Sequence, residues 1–249
     1  MKIFGVIPAR IGSTRLPRKA LVKIGGKPLI QWVYEGAVQY PYFEKLIVAT
    51  DAQEIFDAVK GFGGDVVMTS PEHTSGSSRV YEAIQKYNLE DEDIVVNIQG
   101  DEPLINKKVL ETLISTDFKN QKKYGISTVG REFVDKKEKK TLHNVKIVLN
   151  KKGSVLDFTR KWSPQKDTSV LCHIGLYAYK KWALHKFMEL KPTQRERQEK
   201  LEQLRFCDDL SIFSVSLTRE KLIGVDTKDD LILVKKEIEK AHDKSSIKN

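Results

Sequence analysis

Apolar positions along this chain fall into short runs that alternate with stretches of helical period. Ile3, Phe4, Val6 and Ile7 predict a buried strand that Pro8 stops. Leu21 to Ile24 predicts a brief extended piece turned by Gly25-Gly26, and Pro28 opens a helix with Ile30, Val33, Tyr34 and Ala37 on its apolar face. KLIVAT from Lys45 to Thr50 and the short run Val66 to Met68 predict two more strands, with a helix between them that ends at Gly63-Gly64. A further helix carries Val80, Ala83, Ile84 and Tyr87 on one face. DIVVNI, Asp93 to Ile98, is the most continuous apolar run and predicts a central strand. Strand, crossover helix and strand repeat in the manner of a three-layer α/β domain with a mainly parallel sheet.

The rhythm changes beyond this point. Residues 130–144 are polar and charged, whereas Val145 to Leu149 and Val155 to Thr159 predict strands around a turn at Asn150 to Gly153. With Leu171 to Tyr179 they predict a small antiparallel subregion over about 130–190. Trp182 to Leu190 reads as a helix closed by Pro192. A second helix from Glu196 to Phe206 turns Leu201 and Leu204 inward, leaving Glu199, Glu202, Gln203 and Arg205 solvated. Leu210 to Val215 is the last strand candidate, and Leu231, Val234, Ile238 and Ala241 line a final helix. The expected organisation is one domain over 1–242 with a polar, disordered tail at 243–249.

Composition narrows the setting. A chain of 249 residues, 40% hydrophobic, can build a substantial core. Its apolar runs fall short of the roughly 18 residues of a membrane span, and the N-terminal run lacks a signal-peptide pattern. The expectation is a cytoplasmic protein without a membrane partner. A net charge of +9 favours anionic partners, but the lysines are dispersed and no aromatic-interleaved basic face appears, which argues against nucleic acid. Cys172 and Cys207 lack metal spacing, so reduced structural thiols are expected and a zinc site is not.

The densest chemistry follows the first strand. Arg10, Ser13, Thr14, Arg15 and Lys19 surround Gly12 in a loop at the carboxyl end of that strand, where open α/β sheets bind ligands. Arginine forks suit phosphate oxygens, so the guest is a polyphosphate, or the loop is a solvated basic turn. It matches neither G-x-x-x-x-G-K-[ST] nor G-x-G-x-x-G, which disfavours a P-loop NTPase or a dinucleotide-binding dehydrogenase. Asp51 caps the next helix or lies beside a ligand. TSPEHTSGSSR, Thr69 to Arg79, is either a nucleotide loop or an ordinary connection. Gln99-Gly100-Asp101-Glu102-Pro103 places a carboxylate just past a buried strand, where it holds Mg²⁺ or makes a turn. Asp226, in Gly224 to Thr227, is a second Asp beside a helix start.

Taken in order, IPARIGSTRLPRKAL, HTSGSSR, NIQGDEPLI, HIGLYAY, EKLEQLR and GVDTKDDL closely resemble the 3-deoxy-manno-octulosonate cytidylyltransferase (CMP-Kdo synthetase) family, from about residue 2 to about residue 240. The resemblance implies a Rossmann-like nucleotidyltransferase fold, homodimers paired through the antiparallel subregion, and a reaction of CTP with the sugar acid Kdo that yields CMP-Kdo and pyrophosphate for lipopolysaccharide. It implies that Arg10, Ser13 and Lys19 hold the triphosphate, with Arg15 between it and the sugar, and that Ser75 and Arg79 help bind the nucleotide. Gln99 is implied at both nucleotide and sugar, and Asp101 and Asp226 as ligands of Mg²⁺. Arg160, His173, Tyr177, Glu202 and Gln203 correspond to the sugar-acid pocket, where His173 is expected to donate a hydrogen bond to the sugar more than to act as a base. Asp101, Asp226, Lys19 and Arg10 then carry the catalysis.

Three departures stand out. The family's LPGKPL reads LPRKAL, so Arg18 and Ala20 replace Gly and Pro and put a Gly-specific backbone geometry in question. Ser78 stands where an acidic residue is usual, and Lys161-Trp162-Ser163 replaces a common Ile-Pro after Arg160. The last two bear on the sugar, and they keep the 8-amino analogue of Kdo as the alternative substrate; a different sugar nucleotidyltransferase is the more distant alternative, against which HIGLYAY and LEQLR argue.

Overall fold

The computed structural model describes residues 1–246 except Thr14, Trp162, Cys207, Asp208 and Lys221, with only the backbone of 241–246. The expectations for Thr14, Trp162 and Cys207, for the Ala241 side chain and for 247–249 therefore lie outside the described residues. Eleven strands are β1 (Ile3–Ala9), β2 (Lys23–Ile24), β3 (Lys27–Pro28), β4 (Lys45–Thr50), β5 (Val66–Met68), β6 (Ile94–Asn97), β7 (Ile126–Arg131), β8 (Lys146–Asn150), β9 (Val155–Thr159), β10 (Thr168–Lys180) and β11 (Phe213–Leu217) among the described residues. The α-helices are α1 (Leu29–Ala37), α2 (Gln53–Gly61), α3 (Gly76–Ile84), α4 (Lys107–Leu113), α5 (Thr116–Asn120), α6 (Lys136–Lys140), α7 (Lys181–Glu189), α8 (Gln194–Glu199) and α9 (Lys228–Ser246). The α/β class expected from the sequence is the class observed.

The chain forms two compact units, each assembled from separated segments. One comprises Met1–Phe4, Ile84–Asn97 and Lys108–Glu220; the other comprises Gly5–Ala83, Ile98–Lys107 and Lys221–Asn249. In the first, β11, β7, β10 and β6 lie side by side, and β8 and β9 are carried by β10. β11 runs parallel to β7, while β10 runs antiparallel to β6, β7 and β8. A register shift between Ile174 and Tyr177 marks an irregularity in β10 opposite β7. In the second unit β1 from Gly5 onward, β4 and β5 are neighbours, β4 and β5 are parallel, and β2 and β3 form a hairpin through Gly25 and Gly26, both at positive φ.

Four expectations are corrected. β1 runs through Pro8 to Ala9: the extended backbone accommodates proline's fixed φ, and its missing N–H costs little near a strand end. The helix expected from Glu196 to Phe206 is broken, because Lys200 is left-handed (φ 54°) and the following turn, Glu202–Phe206, is 3-10. In one continuous helix Glu196 and Arg205 would sit on opposite faces, yet here they pair at 2.5 Å. Gln203 in that turn is buried instead of solvated. The expected tail is helical as far as Ser246.

The second unit is packed around Leu16, Ile24, Leu29, Val225, Val234 and Ile238. Leu16 anchors the basic loop from within, while Val225 and α9 bring in the segment that carries Asp226. On α1, Gly36 lies so close to Ile105 that an added Cβ would meet its carbonyl oxygen at 2.3 Å. Gly36→Ala is therefore expected to destabilise by about 1–3 kcal/mol despite alanine's better helix propensity, read as a lower denaturation midpoint.

Candidate functional site

The second unit gathers the basic loop and both carboxylates. Val225 N–H donates to the Asp101 carbonyl at 2.8 Å, which fastens the GVDT segment to the QGDEP loop. Asp230 holds the backbone of this turn through the N–H groups of Asp226 (3.0 Å) and Thr227 (2.8 Å), and Thr227 Oγ1 accepts from Asp230 N–H in return, a capping box at the start of α9. The opposite wall is equally close: a Cβ on Gly100 would lie 2.7 Å from the Pro8 carbonyl oxygen.

Between these walls Lys19 Nζ donates to Asp101 Oδ2 at 2.5 Å and to Asp226 Oδ1 at 2.9 Å, while Arg15 Nη2 lies 2.9 Å from Asp226 Oδ2. Burial by itself would depress the Lys19 pKa, but the charges and hydrogen bonds of Asp101 and Asp226 outweigh it and raise it. Arg18 adopts the left-handed backbone (φ 56°) that a glycine there would take easily, so its replacement keeps the loop geometry at a conformational cost of about 1–2 kcal/mol. Its side chain pairs with Glu54. Arg10 is exposed and Ser13 partly so.

The HTSGSSR segment differs from its reading as a loop, since α3 starts at Gly76 and Arg79 lies within the helix. Ser75 Oγ accepts Ser78 N–H at 3.2 Å and so caps α3. The Arg79 side chain is 3% exposed and donates to Asp51 Oδ2 (2.7 Å), Thr69 Oγ1 (2.6 Å) and the Ser70 carbonyl (3.3 Å). Asp51 is not the cap of α2, whose N-cap Ala52 has no side-chain bond; its carboxylate faces Arg79 and accepts Ile11 N–H at 3.4 Å. A buried guanidinium needs a fixed anion, and that demand outweighs capping.

The first unit holds the residues matched to a sugar acid. Arg160 donates through Nε to the Glu199 carbonyl (3.0 Å) and through Nη1 to the carbonyls of Leu142 (3.2 Å) and His143 (3.0 Å). The buried Lys146 ammonium caps the Arg160 carbonyl at 2.9 Å. The His173 and Tyr177 rings lie 5.4 Å apart, centroid to centroid. Burial, then Tyr179 and Glu202, push the Tyr177 phenol well above its usual range, and Glu202 and the buried Gln203 share one turn. Gln203 Nε2 is shut off from solvent without a partner among the described residues.

The polarity of the His173 ring follows from its neighbour Thr128. Thr128 Oγ1 has a single proton, which goes to the Leu176 carbonyl at 2.8 Å, so it must accept from His173 Nε2 at 2.9 Å. Nε2 thus carries the ring proton and Nδ1 is left as an acceptor. Burial pulls the ring pKa down to about 3, which keeps it neutral.

Glu102 follows Asp101 directly in the sequence, but adjacency in GDEP does not reveal where its side chain turns. Its Oε2 is closed to solvent and has no partner among the described residues. Burial first, then the charges of Asp101 and Asp226 against the pull of Lys19, push its pKa up to about 8 from the usual 4.5. The folded protein therefore keeps Glu102 protonated while the unfolded chain releases the proton, so stability falls as pH rises from about 4.5 to about 8. Glu102→Gln is expected to flatten that fall, seen as a smaller drop in denaturation midpoint between these pH values.

Known proteins place these features in a lineage. Residues 4–214 match the family described as Cytidylyltransferase. A 3-deoxy-manno-octulosonate cytidylyltransferase of Lawsonia intracellularis is 40% identical over 93% of this chain and 92% of its own. An 8-amino-3,8-dideoxy-manno-octulosonate cytidylyltransferase of Shewanella frigidimarina is also 40% identical, over 93% of this chain and 96% of its own. The solved structure of a CMP:2-keto-3-deoxy-manno-octonic acid synthetase complexed with CTP superposes with a TM-score of 0.88 at 34% identity, covering 97% of this chain and 100% of that one. A shared profile, a shared fold and identity across nearly the full length lead to one conclusion: the chain belongs to the 3-deoxy-manno-octulosonate cytidylyltransferase family.

Proposed function

We propose that this protein transfers CMP from CTP to the anomeric hydroxyl of 3-deoxy-D-manno-octulosonate, releasing pyrophosphate, in the cytoplasm and for lipopolysaccharide synthesis. The observation that carries the reading is the convergence of Asp101 and Asp226 on one ammonium, Lys19, beside Arg15 of the basic loop. Among the described residues no helix is long and apolar enough to cross a membrane.

The donor set fits Mg²⁺. Two carboxylates already share a cation, and hard oxygen donors in that number, completed by phosphate and water, are what this ion takes. Asp101 and Asp226 would hold the ion. When bound, it would lower the pKa of the attacking hydroxyl and neutralise charge on the α-phosphate.

The chain's own groups do the rest. Arg10, Ser13 and Lys19 receive the triphosphate, and Arg10 and Lys19 stabilise the departing pyrophosphate as the hydroxyl displaces it in line. Arg15 and Gln99 serve nucleotide and sugar, with Ser75 and Arg79 shaping the nucleotide loop. Arg79 acts by fixing Asp51 and the backbone near Ile11, since its guanidinium is enclosed. Arg160, Tyr177, Glu202 and Gln203 receive the sugar acid, and His173 accepts from a hydroxyl through Nδ1. Val134, Leu142 and Leu156, all within residues 130–190, are exposed apolar side chains, which is compatible with pairing of two copies through this segment.

The 8-amino analogue remains the second substrate reading, since a relative named for it is as similar as one named for Kdo. A neutral acceptor such as His173 Nδ1 receives a proton from a hydroxyl or an ammonium alike. Mass spectrometry of products from equimolar Kdo and 8-amino-Kdo with CTP is expected to show mainly CMP-Kdo. Asp101→Ala is expected to cut pyrophosphate release by about a hundredfold or more with its circular dichroism unchanged; undiminished turnover would reject the reading.

A further inference from the structure

The Lys19 ammonium donates to Asp101 Oδ2 and Asp226 Oδ1, on the two carboxylates that the proposed function gives to Mg²⁺. One ammonium and one divalent ion cannot both lie within bonding distance of that pair: the position is single, and two cations there would repel strongly in a part-buried setting. We propose that Lys19 is an internal competitor for the divalent cation, so that the cation gains the Asp101–Asp226 pair only as the triphosphate draws Lys19 away. The inference deepens the proposed function, because it concerns the order in which that site is filled.

Three observations make the contact a built one. Lys19 begins a 3-10 turn, Lys19–Leu21, whose Ala20 is buried, so its Cα is fixed. The Arg18 backbone immediately before it is left-handed, and the loop accepts that strain while aiming Lys19 at the acids. Asp226 receives Arg15 as well, at 2.9 Å on its other oxygen, so both loop cations lie on carboxylates and a triphosphate offers each a richer anion. Exchange then conserves charge: the phosphates take Lys19 and Arg15, and the vacated carboxylates take the divalent ion. Linkage makes this reciprocal, so nucleotide and metal each strengthen the other's binding.

Such a device prevents divalent cations from occupying the acids without a nucleotide to act on. It also predicts a gain of function in binding from removing a basic side chain, which a purely phosphate-holding Lys19 would not give.

The test uses Mn²⁺ as probe, followed by loss of the free-ion paramagnetic resonance signal, with the full chain and no nucleotide. Lys19→Met should bind Mn²⁺ about tenfold tighter or more than the unsubstituted protein, a factor ordinary for coupled sites, and adding Asp101→Asn should remove the gain. An affinity within about twofold of the unsubstituted protein would overturn the inference. Should Lys19→Met fail to fold by circular dichroism, reductive methylation of the unsubstituted protein decides: saturating Mn²⁺ should raise labelling of Lys19, and unchanged labelling would reject the competition. CTP-dependent pyrophosphate release by the unsubstituted protein is measured alongside. If it proceeds while the Mn²⁺ results fail, only the competition falls; if it is absent, the cytidylyl-transfer reading itself falls.

Discussion

The placement of an ammonium between two carboxylates that are distant in sequence organises the second unit. Asp101 lies in the turn that follows β6 and Asp226 precedes the last helix, and the backbone bond from Val225 N–H to the Asp101 carbonyl makes them neighbours. Like charges at that distance repel, and Lys19 resolves the repulsion from a loop whose own Leu16 is buried in the same apolar cluster as Val225 and α9. Hydrophobic packing therefore fixes the charges, and the charges in turn define what the site can hold.

Glu102 shows how that arrangement propagates. A third carboxyl beside Asp101 and Asp226 cannot also ionise cheaply when buried, and it stays protonated up to about pH 8. The result is a site with two working negative charges and a neutral neighbour, close to neutrality once Lys19 and Arg15 are counted. Arg79 follows the same logic elsewhere in the unit: enclosed and paired with Asp51, it braces the ends of β4 and β5.

On the first unit, the register irregularity in β10 leaves the Leu176 carbonyl for the Thr128 hydroxyl, and that bond dictates which His173 nitrogen is protonated. A side chain's hydrogen-bonding polarity is thus set by a backbone carbonyl three residues along the strand. The broken helix after Glu199 serves a similar end, because the turn Glu202–Phe206 buries Gln203 while the Glu196–Arg205 pair ties it to α8.

Much was legible in the sequence. Short runs rich in branched residues located β4 and β5, and the Asn150 to Gly153 turn helped locate β9, all with their observed bounds, since a strand enclosed in a sheet imposes that apolar character on the residues themselves. The ordered motifs pointed to the family because local words such as QGDEP and GVDT carry their chemistry in adjacent residues. Other features were out of reach: that Asp51 serves Arg79 instead of α2, that Arg18 retains a left-handed backbone, that His173 presents an acceptor, and that Glu102 is neutral. Each depends on a partner or an enclosure contributed by a distant segment. Hydrogen-bond direction, desolvation and charge coupling are properties of proximity, which only the tertiary structure decided.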